Sequence, residues 1–330
     1  MNTNLHNELK NLLAADLDAG LVFSGTPTGN TVKGFAQPCS YSPAIDPDYI
    51  FHESARDAAV WFMNELEPLY IYGATGCGKS SLIKQLAARL NYPVFEVTGH
   101  GRMEFADLCG HLSVKDNNMT YEYGPLALAM RYGCLVLLNE IDLLSPEAAA
   151  GLNSVLEGSP LCIAENGGEI IKAHPMFRFC ATANTNGAGD ETGLYQGTLR
   201  QNLAWLDRFI LCEVQYPEEK VEADLLKKRY PQLPKNISKK MVQYANEVRR
   251  LFMGNADNTE NYANTIEVTL STRTLLRWAD LTIRFQPLSQ QGIQPITYAL
   301  DRALGFRATR SSRALLHELA QRYFPVDASK

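Results

Sequence analysis

No stretch of this 330-residue chain approaches the roughly 20 consecutive apolar residues of a bilayer-spanning helix; its apolar runs, such as Cys134 to Leu138, are far shorter. No membrane-spanning helix is expected. The seven cysteines (Cys39, Cys77, Cys109, Cys134, Cys162, Cys180 and Cys212) contain no Cys-x-x-Cys pair. Their odd number and apolar surroundings predict buried thiols in a reducing compartment. His100, Cys109 and His111 match no common zinc spacing and read as ordinary polar and core residues. Positive charge is not in excess either: 31 Lys and Arg stand against 36 Asp and Glu, a net charge of -5. That balance argues against a broad footprint on nucleic acid, although it leaves room for a local basic patch. The first residues carry Glu8, Asp16 and Asp18 and no basic start followed by an apolar block, so a secretory leader is not expected and the protein is placed in the cytoplasm. There is no internal repeat and no low-complexity tract. What remains, 45% hydrophobic and 20% charged residues, is ordinary globular composition over a length of about two domains.

Leu5, Leu9, Leu12 and Leu13 recur at helical spacing, which predicts an amphipathic helix from Asn4 to Leu17. Asp18 to Asp46 is rich in Gly, Pro, Ser and Thr without periodicity and reads as a linker or extended arm. Folded structure is expected to resume near Asp48, with a helix over Glu53 to Glu65 and a short buried strand over Leu69 to Tyr72. Then follow a helix over Lys79 to Leu90, a strand over Val94 to Thr98, a strand over Leu135 to Leu138, a helix over Pro146 to Leu156 and a strand over Phe177 to Thr182. Ser145 and Pro146 are suited to the cap and first position of that second helix. This alternation is a parallel α/β layout. Leu161 to Ile163 and Glu169 to Lys172 flank Asn166-Gly167-Gly168, a hairpin turn. Beyond Tyr216 helical patterns dominate: Val221 to Lys228, Ser238 to Phe252, Thr272 to Phe285 and Arg310 to Tyr323, with a polar loop from Gly254 to Thr265.

Gly73-Ala74-Thr75-Gly76-Cys77-Gly78-Lys79-Ser80 matches G-x-x-x-x-G-K-[ST] between a predicted strand and a predicted helix. The glycines let the backbone curl so that successive N–H groups face a β-phosphate, and the new helix presents its positive end. Lys79 is suited to neutralise β- and γ-phosphate oxygens and Ser80 to ligate Mg²⁺; with Ser81 next in line, residues 73–81 are the candidate nucleotide contacts. Cys77 in the loop is read as an incidental position. Cys134-Leu-Val-Leu-Leu-Asn139-Glu140 is an apolar strand ending in polar residues. Glu140 is placed to polarise water as a general base, its bland alternative being a solvated strand-end carboxylate. Asn139 stands where a metal-linked Asp is expected; it can hydrogen-bond a Mg²⁺-bound water without contributing charge.

With these residues in place the chain resembles the AAA+ ATPases of the MoxR branch, in particular the CobS-type ATPase subunits of aerobic cobaltochelatase. The resemblance runs from Ile45-Asp-Pro-Asp-Tyr-Ile-Phe51 through the phosphate loop and Glu140 to His174-Pro-Met-Phe-Arg-Phe-Cys-Ala-Thr-Ala-Asn184-Thr. Gly189-Asp-Glu-Thr-Gly-Leu-Tyr195-Gln-Gly-Thr, Leu206-Asp-Arg-Phe209 and Ser271-Thr-Arg-Thr274 follow in the family's order. It implies an AAA+ αβα core with a parallel sheet over residues 48–216, a helical lid domain over 217–330 and an N-terminal helix and arm over 1–47. It also implies that Asn184 is the sensor 1 residue beside the γ-phosphate. Arg208 would be an arginine finger acting on the neighbouring subunit, with Arg200 a weaker candidate, and Arg273 the lid's sensor 2. An intradomain salt bridge at Arg208, a surface ion pair at Arg273 and a plain turn at Asn184 are the alternatives. The hairpins at Leu161 to Lys172 and His111 to Tyr123 match the family's insertions.

The resemblance thus implies a Mg²⁺-dependent ATPase that assembles into a hexameric ring, remodels a protein partner and acts with a von Willebrand A-type protein carrying a metal-dependent adhesion site. A cobaltochelatase subunit driving cobalt insertion into a corrinoid, an ATP-gated assembly scaffold with weak hydrolysis, and a DNA-remodelling motor are the other readings. Two departures stand out: Asn139 for the family's Asp, and Thr272 where relatives carry Pro.

Overall fold

A computed structural model describes residues 3–53, 55–64, 67–115, 117–189, 197–253 and 266–325. Most of the Gly-Leu-Tyr block, residues 190–196, and the predicted loop 254–265 lie outside them. The chain forms two compact units. One comprises Met1–Pro47, Glu53–Ala74 and Lys79–Val214; the other comprises Asp48–His52, Thr75–Gly78 and Gln215–Lys330.

The first unit opens with the helix Thr3–Lys10, followed by strands β1 (Ala14–Asp18) and β2 (Thr31–Phe35), which pair antiparallel. This corrects two expectations: the helix does not reach Leu17, and the Gly- and Thr-rich segment is not a structureless arm. Leu9 is buried whereas Leu13 is 72% exposed, so the leucine spacing does not define one buried stripe. Asp18 closes the connection between the strands, accepting from the backbone N–H groups of Leu21 and Gly29 at 2.9 and 2.8 Å. The hairpin docks through Phe35, whose N–H donates to the Leu90 carbonyl at 2.9 Å. Gly34 permits that approach, since a Cβ there would lie 2.6 Å from the same carbonyl oxygen.

Strands β3 (Leu69–Tyr72) and β4 (Val94–Thr98) flank the helix Lys79–Arg89. Next come a hairpin of β5 (Gly110–Lys115) and β6 (Asn118–Tyr123), strand β7 (Leu135–Asn139), a second hairpin of β8 (Leu161–Ile163) and β9 (Glu169–Ile171), then β10 (Arg178–Ala183) and β11 (Ile210–Glu213). The central sheet is parallel throughout, in the order β11-β3-β10-β7-β4. Every residue of β7 and β10 is buried, as expected for inner strands of a parallel sheet covered on both faces. Ser145 caps the helix Pro146–Leu156, accepting from the Ala148 N–H at 3.2 Å. Because β10 lies between β3 and β7, the carboxyl ends of these three strands bring Gly73, Asn184 and Asn139 to one edge, where ligands of open α/β sheets bind.

The two hairpins are tied together. The Tyr123 hydroxyl donates to Glu169 Oε2 at 2.6 Å, and the Asn166 amide donates to the same oxygen at 2.7 Å. Arg131 pairs with Glu169 and lies 4.2 Å over the Tyr123 ring.

The second unit is helical, with Glu219–Arg229, Lys235–Met253, Thr272–Arg284, Pro295–Ala303 and Arg310–Tyr323 as its α-helices. Its core is built on Tyr244, Trp278, Leu300 and Phe324. The polar tips of the two large aromatics are satisfied: Trp278 donates to the Ile296 carbonyl and Tyr244 to the Leu316 carbonyl, both at 2.9 Å.

Candidate active site

Lys79 begins its helix and is only 9% exposed. A buried ammonium must be satisfied. Its Nζ donates to the carbonyls of Gly73 and Ala74 at 2.7 and 3.1 Å and to Asn184 Oδ1 at 3.1 Å. The phosphate-loop lysine and the polar end of β10 are therefore already in contact. Ser80 donates to Asn139 Oδ1 at 2.5 Å, and Thr182 donates to the same oxygen at 3.0 Å. The Asn139 amide donates in turn to Glu96 Oε1 at 2.9 Å, and Glu96 is paired with Lys84 at 3.0 Å. Gly76 and Gly78 take φ values of +72° and +104°, where a side chain would be strained. The candidate contacts Ala74, Thr75 and Ser81 flank these positions, Ser81 exposed on the new helix and Cys77 buried in the loop.

Glu140 is exposed and left-handed, with φ +54° and ψ +45°. That is uncommon for a residue other than glycine and is a form of strain that concentrates at functional sites. Gly99 accommodates this turn: its N–H donates to the Asn139 carbonyl at 2.7 Å, and a Cβ at this glycine would lie 2.8 Å from the Glu140 carbonyl.

Two residues of this cluster escape sequence reasoning. Glu96 is on the neighbouring strand, and Asp142 follows Glu140 by two positions. Asp142 is fully buried; its Oδ2 accepts from the Asn184 and Thr185 N–H groups at 2.9 and 3.3 Å, while Oδ1 has no partner. Burial pushes the Asp142 carboxyl up, against those N–H groups and the Lys79 charge, which lower it. Asp142 thereby anchors the backbone of Asn184 to the segment that carries Glu140.

Arg208 lies apart from this cluster. It pairs with Glu157 through Nε at 2.7 Å, and together with Arg200, Asn153 and Trp205 it lines a groove of about 370 Å³. Arg273 is exposed in the first turn of the second unit's helix Thr272–Arg284, which Ser271 caps. Thr272, at the position expected to carry Pro, donates to Glu222 Oε1 at 2.7 Å, a bond Pro cannot make.

The donors present fit a magnesium ion brought by a nucleotide. Oxygen atoms of Ser80 and Asn139 converge, and Mg²⁺ characteristically uses few protein ligands alongside phosphate oxygens. Among the described residues no group of three or more His, Cys, Asp or Glu side chains is placed to hold a metal by itself, and no helix is long and apolar enough to cross a membrane.

Comparison with known proteins agrees with this geometry. Residues 68–200 match the AAA domain (dynein-related subfamily), and residues 222–323 match the CbbQ/NirQ/NorQ C-terminal domain. The chain is 29% identical over 342 residues to the aerobic cobaltochelatase subunit CobS of a Sinorhizobium species, covering 99% of this chain and 96% of that protein. It is 26% identical over 272 residues to NorQ of Paracoccus denitrificans, covering 81% and 91%. A RuvB mutant from Thermotoga maritima aligns with a TM-score of 0.49 and 12% identity over 83% of this chain and 71% of that one. The parallel sheet with a phosphate loop at a strand end, taken with the AAA-domain match over residues 68–200, makes the chain an ATPase with an AAA+ fold. The chain pairs that AAA domain with a CbbQ/NirQ/NorQ C-terminal domain and is similar over most of its length to CobS and NorQ, which are MoxR-type AAA+ ATPases.

Proposed function

We propose that this ATPase works as a ring, hexameric by analogy, in which hydrolysis at each subunit drives remodelling of a protein partner. The observation that carries the reading is the convergence of Lys79, Ser80, Asn139 and Asn184 beside Glu140. Residues 73–81 bind the triphosphate, with loop N–H groups and Lys79 meeting its oxygens. On binding, Lys79 exchanges the Gly73 and Ala74 carbonyls for phosphate, and Ser80 and Asn139 would hold Mg²⁺, which would supply positive charge to the phosphate oxygens. Glu140 accepts a proton from the attacking water, and Asn184 orients that water. Arg208 leaves Glu157 to complete the pocket of the adjacent subunit, and Arg273 reports the nucleotide state to the lid, residues 217–330. A cytoplasmic setting and a von Willebrand A-type partner complete the proposal. Phosphate release should be lost in Lys79→Ala, Glu140→Gln and Arg208→Ala, with only Lys79→Ala losing nucleotide affinity. Undiminished turnover in Arg208→Ala removes the shared-pocket reading.

A second reading is favoured by the similarity to CobS over 99% of the chain: the ring serves a chelatase that inserts cobalt into a corrinoid, the metal then being cargo. Co-purification with chelatase-type subunits separates it from other clients.

A further inference from the structure

Within the second unit the phosphate-loop segment Thr75–Gly78 meets residues that the catalytic reading leaves unused. The Tyr216 hydroxyl donates to the Thr75 carbonyl at 2.8 Å and lies 3.3 Å from Thr269 Oγ1. The Tyr216 ring lies under the guanidinium of Arg249, 4.2 Å from its centroid. Arg249 is 2% exposed and every guanidinium nitrogen has a partner: it makes two 2.8 Å bonds to the buried Glu222 carboxylate, one to the Leu270 carbonyl and one to Asn246 Oδ1. Thr272 donates to Glu222 from the first turn of the helix that carries Arg273. On the loop's other flank, a Cβ at Gly76 would lie 2.3 Å from Ser271 Cβ, so the loop is pressed against that helix's cap.

A buried ion pair contributes little net stability but fixes orientation when its nitrogens and oxygens all find partners, as here. What this pair orients is the ring of Tyr216, whose hydroxyl reaches a loop carbonyl. In a trans peptide the Thr75 carbonyl and the Gly76 N–H point to opposite sides. Anchoring the carbonyl therefore aims the N–H, and aimed N–H groups are what such a loop uses to hold phosphate.

We propose that Tyr216 is a positioning residue for the phosphate loop, held by the Arg249–Glu222 pair and coupled through Thr272 to the helix of Arg273. This rests on the nucleotide-binding role of residues 73–81. Tyr216→Phe keeps the ring and its stack and removes only the hydroxyl. ADP affinity, measured by titration calorimetry at fixed Mg²⁺, should fall about three- to tenfold, as for one lost hydrogen bond. The KM for ATP should rise in proportion with little change in kcat, and the melting temperature should hold. Tyr216→Leu, which also loses the stack, should weaken ADP further and lower the melting temperature. If wild type binds ADP and Tyr216→Phe matches it, while Tyr216→Leu shows only a melting defect, Tyr216 merely packs and the inference falls. If wild type itself does not bind ADP, the nucleotide reading falls with it.

Discussion

Ser80 and Glu96 are joined through a single side chain: Asn139 accepts from Ser80 at 2.5 Å and donates to Glu96 at 2.9 Å. An asparagine can face both a hydroxyl and a carboxylate, because it carries an acceptor and a donor; an aspartate cannot. The substitution of Asn for Asp is thus matched to Glu96 rather than isolated. Asn139→Asp would set two carboxylates against each other and raise the pKa of one. Glu96 is 41% exposed and paired with Lys84, so screening holds the stability loss to about 1 kcal/mol. Mg²⁺ dependence of ADP binding should improve only when Asn139→Asp is combined with Glu96→Gln, which supplies a donor. Improvement by Asn139→Asp alone would show that Glu96 plays no part.

Asp142 gives a pH signature with a definite sign. Its carboxyl is pushed up from 3.8 by burial. The folded state therefore holds the proton more tightly than the unfolded one: this stabilisation is full below the unfolded value and is lost as pH rises through the folded value. Above the folded value the carboxylate is charged, and burying that charge costs stability. Asp142→Asn keeps an acceptor for the Asn184 N–H and has no charge to bury, so its melting temperature should gain on wild type as pH rises from the unfolded value of about 4 through the folded one. A gap that narrows over that interval contradicts the assignment. Asp142→Ala, which orphans the Asn184 and Thr185 N–H groups, should lose about 1–3 kcal/mol and turnover.

Glu140 holds φ +54°, a conformation glycine adopts without strain. Glu140→Gly should therefore raise thermal stability by about 1 kcal/mol while abolishing phosphate release. Glu140→Gln keeps the β-carbon and should abolish release with no stability gain. A Glu140→Gly variant that melts below wild type would indicate that the surroundings, not glutamate, impose the turn.

Much of this site is legible in one dimension because its chemistry is local. The phosphate loop is eight consecutive residues, and β3, β4, β7 and β10 announce themselves as short apolar runs beside helical periodicity. Besides the short helices Pro125–Tyr132 and Pro295–Ala303, the elements that escape depend on pairing or on an edge. Strand β11 is an edge strand with Leu211 51% exposed, so it lacks a buried run. The β1–β2 hairpin is set by Asp18 and by contact with Leu90, neither of which leaves a period in the sequence. Asp142 and Glu96 act on residues 42 and 43 positions away, and the role of each comes from strand order rather than from a motif.

Arg208 illustrates how an expected role and a bland one occupy the same side chain. Its guanidinium is held by Glu157 at 2.7 Å, an ion pair in which Glu157 is 52% exposed. Such a pair contributes roughly 0–1 kcal/mol, less than a charge-assisted bond to a phosphate oxygen in a dry interface. Glu157 can therefore yield its partner when a neighbour presents a triphosphate. On this argument Glu157→Gln leaves ADP affinity unchanged and raises turnover up to about fivefold at subunit concentrations where assembly is incomplete, since ~1 kcal/mol is released. The gain should vanish at high concentration. Arg208→Lys, which cannot form the fork-like contact, should lose most turnover despite keeping its charge. Turnover that is independent of subunit concentration in both wild type and Glu157→Gln would place Arg208 outside the reaction and leave the pair with Glu157 as its whole role.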